Sequence, residues 1–174
     1  MITRDTRDNV YYPKSGSETD LNWTTYPDFI NDSDGVNKAE VSHNHFLAIR
    51  DENDIIGLRA YVGFGLGELP FEQQFLVGQT DIRGYTQGKY RGSAIYSLQG
   101  EYRWNLAKRF GLVGFFGLAT ISGSDVSENN GVLLPGIGAG FRYTAFEKNH
   151  FNVGMDGAIG KDDWGIYFRI GEAF

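Results

Sequence analysis

The chain has 174 residues, with 16 Lys and Arg against 22 Asp and Glu, and it contains no cysteine. A formal net charge of −6 without a basic run argues against nucleic acid as a partner, because nucleic-acid binding needs a cationic stripe. The absence of cysteine excludes disulfides, thiolate metal sites and cysteine nucleophiles. No apolar stretch approaches the roughly 18 residues that a membrane-spanning helix needs.

Apolar and polar residues alternate with a period of two along most of the chain, which indicates strands and not helices. The N-terminal third predicts strands at 17–26 and 41–50 and a less regular one at 2–12. The clearest alternation runs over 94–106, where Leu98 and Trp104 fall on one face and Gln99 and Glu101 on the other. The remaining predicted strands are 56–66, 110–121, 133–145, 151–160 and 164–174.

The lengths of these segments and of their connections favour a membrane barrel. Strands of about 10–13 residues exceed the ~5–6 of globular proteins and match the ~9–11 that cross a bilayer. Most connections alternate between short and long, which is typical of outer-membrane barrels. The short ones are 13–16, 51–53, 107–109 and 147–149, the long ones are 27–40, 67–93 and 122–132, and 161–163 is a short exception.

The pattern therefore predicts an all-β, antiparallel transmembrane β-barrel of about eight strands, plus the doubtful strand at 2–12. Such a sheet would turn its apolar row to lipid and its polar row to the lumen, and would close so that no backbone edge stays unpaired. The alternative is a soluble β-sandwich or a lipocalin-like barrel, in which the apolar row faces inward. Aromatic residues near the strand ends fit interfacial girdles, and they are Trp23, Tyr102, Trp104, Tyr143 and Trp164.

Two glycine runs with a spacing of two place their glycines on one face of a strand. The runs are Gly63-Phe-Gly-Leu-Gly67 and Gly136-Ile-Gly-Ala-Gly140. A phosphate-binding loop needs a strand-to-helix break and uneven glycine spacing. We therefore expect these glycines to form a bare inner wall, that is, a part of the inner face without side chains. Because glycine weakens a strand, another segment should pack closely on this wall. The long connection 68–92 is the candidate, since about 25 residues are too many for an idle hairpin loop.

This connection also carries a resemblance to a known family. Leu69-Pro70-Phe71, Phe75, Gly78 and Ile82-Arg83-Gly84-Tyr85 resemble the lumen-entering loop of the bacterial surface-antigen family, the BamA-like and TamA-like outer-membrane assembly barrels, with Gln79 in place of a second glycine. Three further pieces are similar to that family and occur in the same order. They are the turn Arg7-Asp8-Asn9-Val10-Tyr11-Tyr12-Pro13-Lys14-Ser15-Gly16, the strand Glu101-Tyr102-Arg103-Trp104, and the C-terminal apolar row Trp164, Ile166, Phe168, Ile170 and Phe174, broken only by Glu172.

The resemblance implies roles for individual residues. Arg83 of the motif Ile82, Arg83, Gly84 and Tyr85 would enter the lumen and pair with acidic side chains, of which Glu101 is one. The family often has a second carboxylate on the following strand, but Gly117 stands there, and Asp156 is the substitute that we expect.

The resemblance also implies a domain organisation. The family barrel has about sixteen strands preceded by periplasmic substrate-binding domains. We expect 1–174 to form a single barrel domain and to contain no periplasmic substrate-binding domain. The chain would be either the C-terminal half of a larger barrel or a reduced eight-stranded relative. The interior of an eight-stranded barrel is filled by side chains, so 68–92 should lie across its mouth or outside it.

The function implied is insertion, assembly or translocation of proteins in the bacterial outer membrane, without a cofactor and without covalent chemistry. The partners implied are a lipid bilayer or detergent, unfolded outer-membrane proteins, and a second copy of the chain. The terminal strand 164–174 would be the functional edge. Two alternatives stay open: a structural or anchoring barrel, and a lipid-acting barrel enzyme, for which His150 lies in a short turn and no Ser/His/acid set is evident.

Two further motifs carry weaker interpretations. His43 and His45 share one strand face and could supply half of a metal site, but no third ligand is evident. Asn31-Asp32-Ser33-Asp34-Gly35 resembles a calcium loop, but Ile30 and Val41 would occupy its first and twelfth ligand positions, so an exposed turn is expected.

Overall fold

The alternating segments form one large antiparallel sheet in the computed structural model, which describes residues 1–27, 35–50, 54–67, 69–78, 81–146 and 151–174. Nine strands make this sheet, and a two-residue pair forms a separate ribbon. In chain order the strands are β1 (Ile2–Asp5), β2 (Gly16–Tyr26), β3 (Val36–Ile49), β4 (Asp54–Leu66), β5 (Phe75–Leu76), β6 (Arg91–Gly92), β7 (Ala94–Ala107), β8 (Phe110–Ser122), β9 (Leu134–Phe146), β10 (Phe151–Gly160) and β11 (Asp163–Ile170). The all-β class is therefore confirmed.

The sheet follows the chain, in the order β1-β2-β3-β4-β7-β8-β9-β10-β11, and β5 pairs with β6 within the long connection between β4 and β7. The two ends of the sheet are thus β1 and β11, and within the described residues no ladder joins them. The predicted turns 51–53 and 147–149 lie outside the described residues, as does part of the predicted loop 27–40.

Two N-terminal boundaries differ from the sequence interpretation. The doubtful strand 2–12 shrinks to the four residues of β1, because the segment after it is a turn held by its own side chains. The Asp8 carboxylate accepts hydrogen bonds from the backbone N–H groups of Lys14 and Ser15, and Gly16 takes a φ of +92° that favours glycine. β3 begins at Val36, five residues before the predicted start, because its pairing with β2 extends to Tyr26.

The two faces of the sheet are inverted relative to a water-soluble protein. On β7 the apolar Leu98 is 64% exposed, whereas the polar Gln99 and Glu101 and the cationic Arg103 are buried. A soluble sandwich or lipocalin-like barrel would bury the apolar row, so that alternative is wrong for this chain. An exposed apolar row over a buried polar row is the arrangement of a sheet surrounded by lipid.

The segment between β4 and β7 packs on the polar, inner face of the sheet. A Cβ atom at Gly63 would meet the Phe75 ring, one at Gly65 would meet Leu69, and one at Gly136 would meet the Arg83 carbonyl oxygen. The bare wall and its covering segment are therefore confirmed. The expectation that this segment lies across the mouth or outside applied to a closed eight-stranded barrel. In this nine-stranded sheet the missing side chains leave room for the segment against the strands.

This packing creates a small apolar core on the inner face. The core joins residues of the covering segment to inward residues of β3, β4, β7, β8 and the start of β9. Its members are Val36, Tyr61, Leu69, Phe75, Val77, Ile82, Tyr85, Tyr90, Ile95, Ala119, Ile121 and Leu134. Burial of these side chains stabilises the segment in place, since each large apolar side chain contributes about 1.5–3 kcal/mol when fully buried.

The C-terminus departs from the predicted terminal row. Trp164, Ile166, Phe168 and Ile170 are exposed on the apolar face, but β11 ends at Ile170. Gly171 takes a φ of +84° and the following residues leave the strand. The Phe174 ring then lies 6.3 Å from the ring of the buried Phe46, on the inner face, so the placement of Phe174 in the apolar row is wrong.

Helices contribute little to the chain. The described residues contain two single-turn 3-10 helices, Phe71–Gln73 and Ser127–Asn129. Within that part of the chain no helix has the length and apolar character needed to cross a membrane.

The orientation of the apolar row can be tested with a charge placed on it. We expect Leu98→Lys to destabilise the protein in a bilayer by on the order of 2 kcal/mol, because a lysine would face hydrocarbon. The measurement is denaturant unfolding in liposomes. Val126→Lys, at an exposed loop position, is the matched control and should change stability by less than about 0.5 kcal/mol. Equal, small effects of the two variants would mean that Leu98 faces water.

Candidate functional site

The motif Ile82, Arg83, Gly84 and Tyr85 is held against the ends of β9, β10 and β11. Gly84 takes a φ of +107°, and a Cβ there would come within 2.8 Å of the Ile159 carbonyl carbon. The Gly84 N–H donates to the Tyr167 hydroxyl at 2.8 Å. Glycine is therefore required at this position both by the backbone conformation and by the close approach of β10.

The Tyr85 hydroxyl also holds the motif against the sheet, through two hydrogen bonds. Its hydroxyl donates to the Pro135 carbonyl oxygen at 2.6 Å and accepts the Lys161 N–H at 2.9 Å. Its ring meets the Tyr90 ring edge-on, with centroids 5.7 Å apart. Burial raises the pKa of the Tyr85 phenol, so the hydroxyl stays protonated and keeps its donor role.

Arg83 points into the inner face and meets both carboxylates that the sequence suggested. Its guanidinium Nη2 lies 2.8 Å from Glu101 Oε2, and its Nη1 lies 2.8 Å from Asp156 Oδ2. The Cζ atom stands 3.4 Å from the centroid of the Phe115 ring. The side chain is 4% exposed, so the two charge-assisted hydrogen bonds and the aromatic face replace its water shell.

Three further residues extend this contact into a closed ring of alternating charges. Glu101 Oε1 accepts from Arg103 Nε at 2.7 Å, and Arg103 Nε lies 3.8 Å from Glu172 Oε2. Glu172 Oε2 in turn accepts from Arg142 Nε at 3.0 Å, and Arg142 pairs with Asp156. We call this set the charge ring; its members are Arg83, Glu101, Arg103, Glu172, Arg142 and Asp156.

The charge ring joins five separate parts of the chain. It links the motif segment, strands β7, β9 and β10, and the C-terminal residues after β11. Three guanidinium groups face three carboxylates, so the ring is neutral as a whole, and Arg169 adds a cation at 3.4 Å from Asp156 Oδ2. Arg103 also donates to the Phe174 carbonyl oxygen at 2.9 Å. The ion pairs of the ring connect the motif segment to the inner face of the sheet.

Glu172, Arg103 and Arg142 were missed at the sequence level as members of the site. Glu172 was visible only as the single break in the terminal apolar row. Its side chain is 2% exposed on the inner face, because Gly171 turns the chain away from the strand direction. Arg103 shares the polar row of Glu101, which was a usable signal. Nothing in the sequence pattern singled out Arg142.

The histidine pair and the calcium-like loop were the weaker motifs of the sequence. His43 and His45 lie on one face with ring centroids 6.3 Å apart, and the described residues contain no group of three or more potential ligands. Residues 31–34 of the resembled calcium loop and His150 lie outside the described residues.

Comparison with known families decides the affiliation of this fold. A model of the Omp85 superfamily domain matches residues 1–174. The chain belongs to the Omp85 superfamily. This is a family of β-barrels that act in outer-membrane protein assembly and translocation, and its members are non-enzymatic. The resemblance to BamA-like surface antigens is thus confirmed at the level of the superfamily. A comparison with curated protein sequences finds no match.

Removal of the Arg83 side chain should loosen the segment 69–92 while the sheet stays folded. Arg83→Ala leaves Glu101 and Asp156 with fewer partners, which costs about 1–3 kcal/mol. Local opening, and hence proteolytic cleavage within 69–92, should become about 5-fold to 100-fold faster. Lys108→Ala, which removes an exposed side chain in the turn between β7 and β8, is the control and should leave cleavage unchanged. Equal cleavage rates of Arg83→Ala and wild type would contradict the bracing role.

The ring also predicts an energetic link between residues that do not touch. Arg83→Ala and Glu172→Gln should be non-additive in the free energy of unfolding by about 0.5–3 kcal/mol, because both belong to one ion-pair network. Unfolding by guanidinium chloride in micelles, monitored by tryptophan fluorescence, gives the free energies of unfolding for the double-mutant cycle. Arg83→Ala combined with Glu18→Gln, whose partner is Arg7, should be additive. Additivity in both double-mutant cycles would show that the members of the charge ring do not act as one ion-pair network.

Proposed function

We propose that this chain acts in the bacterial outer membrane, in the assembly or translocation of other outer-membrane proteins, and that it does so by strand pairing and not by covalent catalysis. The observation that carries this proposal is the contact of Arg83 with Glu101 and Asp156 inside an Omp85 domain. A segment braced on the inner wall supports the sheet from within. The supported sheet can then keep an edge available without collapsing.

The geometry of the two edges supports an incoming strand as the partner. Neighbouring strands of the large sheet are antiparallel, so its first and ninth strands, β1 and β11, run in the same direction. A single inserted strand would therefore pair with both edges in antiparallel fashion. A second copy with the same orientation in the membrane would meet each edge in parallel fashion. The topology thus favours an unfolded substrate strand over a homodimer.

The surface of β11 specifies what kind of strand it would accept. Its outward residues are apolar and its inward residues include Tyr167 and Arg169. An incoming strand that alternates apolar and polar residues would continue both faces without a break. Because backbone N–H and C=O groups in hydrocarbon must be paired, such a strand gains its hydrogen bonds at this edge. Unfolded outer-membrane proteins have this alternation.

The function is tested by reconstitution. We expect liposomes containing the full chain to accelerate folding of a urea-unfolded eight-stranded outer-membrane barrel, followed by the shift of the folded band in unheated gel samples. Arg83→Ala should reduce the acceleration, and Lys108→Ala, at an exposed turn position, should not. If liposomes with and without the protein fold the substrate at the same rate, the assembly role is wrong, and a structural or anchoring barrel becomes the better interpretation.

The site of pairing is tested by single cysteines, because the natural chain has none. We expect Ile166→Cys on β11 to form a disulfide with a cysteine in the substrate's terminal strand during folding. Leu98→Cys is the matched control, since it also lies on the apolar face but in the interior of the sheet. Equal cross-linking from both positions would show that the substrate does not use the edge.

A further inference from the structure

A small cavity lies on the inner face of the sheet, between the covering segment, strand β7 and the edge strand β11. Its volume is about 40 Å³, and its polar lining comes from Asp81, Arg83, Gln99 and Arg169. Since one water needs roughly 10–15 Å³, the cavity has room for a few waters or for one small ion. It adjoins the charge ring and lies on the opposite side of the sheet from the apolar face that we assign to lipid.

Two side chains that line this cavity carry hydrogen-bond donors without an acceptor. Arg169 on β11 makes one hydrogen bond within the described residues, from Nε to Asp156 Oδ2 at 3.4 Å, so its two Nη groups have no acceptor there. Gln99 on β7 is 6% exposed, and its Oε1 accepts from Arg83 Nε at 3.4 Å. In that same part of the chain the Gln99 amide Nε2 has no acceptor. Buried donors are costly unless something else accepts from them.

The side-chain acceptors around the cavity are already engaged or covered. Asp81 Oδ1 accepts the Gly78 N–H at 2.8 Å, and Asp81 Oδ2 is fully buried, so it has no surface turned to the cavity. The Gln99 oxygen accepts from Arg83. A buried water uses about three hydrogen bonds and must donate in some of them, whereas an anion only accepts. The side-chain chemistry therefore favours an anion over a water.

The local charges favour an anion as well. The charge ring is neutral, and Arg169 adds one positive charge to it, at 3.4 Å from the same Asp156 oxygen that Arg83 contacts. Asp81 does not serve as the missing counter-charge, because it interacts electrostatically with Arg59 on β4. In the part of the chain that the structure describes, the positive charge of Arg169 is thus the one that the ring leaves unbalanced.

We infer that this cavity binds one small monovalent anion, with chloride as the probe. The anion accepts hydrogen bonds from the Nη groups of Arg169 and from Nε2 of Gln99, and it lies in the field of Arg83. It bridges the edge strand β11, the interior strand β7 and the covering segment, because these three elements supply the cations and donors. The inference goes beyond the proposed function and does not depend on it.

Two substitutions remove the site in different ways. Arg169→Gln removes the unbalanced cation. Ala173→Leu fills the cavity, which Ala173 lines, and keeps every charge. Because Ala173 follows β11 and lies outside the strands, the larger side chain does not disturb a ladder. Arg4→Gln is the matched control, since it removes an exposed arginine on the opposite face, in the cross-strand row of Leu98.

The experiment is chlorine nuclear magnetic resonance of the full chain in dodecyl maltoside micelles, because the chloride line broadens when the ion exchanges with a protein site. We expect a saturable broadening that bromide displaces and that gluconate, which is too large for the cavity, does not. Arg169→Gln should weaken chloride binding about tenfold, which is the effect of losing a hydrogen bond to a charged group. Ala173→Leu should abolish the broadening, and Arg4→Gln should leave it unchanged. Circular dichroism confirms the fold of each variant.

Several results would overturn the inference. Absence of saturable broadening in the wild type would show that the cavity holds water only. Broadening by Ala173→Leu equal to that of the wild type would place the chloride outside the cavity. Equal weakening by Arg169→Gln and Arg4→Gln would show a general effect of protein charge. Displacement by gluconate would identify an open surface site.

Discussion

The structure depends on one electrostatic constraint, namely that charges on the buried face of the sheet must be matched locally. A guanidinium or carboxylate removed from water is strongly destabilising when it loses its partner, by about 3–5 kcal/mol. The chain meets this constraint with a ring in which every carboxylate contacts two of the ring's arginines and each of these arginines contacts two of its carboxylates. No member can be withdrawn without leaving two neighbours less well paired.

This constraint explains why the position of the covering segment and the position of the chain terminus depend on each other. Arg83 belongs to the segment between β4 and β7, and Glu172 follows the edge strand β11, yet both contact partners on β7, β9 or β10. A shift of the β11 end would move Glu172 away from Arg142 and weaken the hold on Asp156. The segment and the edge are therefore coupled through side chains, and this coupling is the physical basis of the proposed link between the loop motif and strand pairing.

The sequence predicts the strands well because period two is a local property of consecutive residues. It also predicts the Arg83 contacts with Glu101 and Asp156, the first from a resembled motif and the second from the absence of an acid at Gly117. The position of Phe174 could not be predicted, because one left-handed glycine at 171 reverses a pattern that otherwise continues. The position of the covering segment could not be predicted either. It depends on how much space the glycines of the inner face leave, and that space is a property of the assembled sheet.

The outer face imposes a second constraint that the inner ring does not touch. Hydrocarbon tolerates the apolar rows of β7 to β11 without further partners, but it does not solvate the hydroxyl and imidazole groups of β2 and β3. These groups need either a polar neighbour or a ligand that brings one. Thr19 supplies such a neighbour for one nitrogen of His43. The outer face thus follows the same rule that builds the ring, namely that polar groups outside water are stable only in pairs.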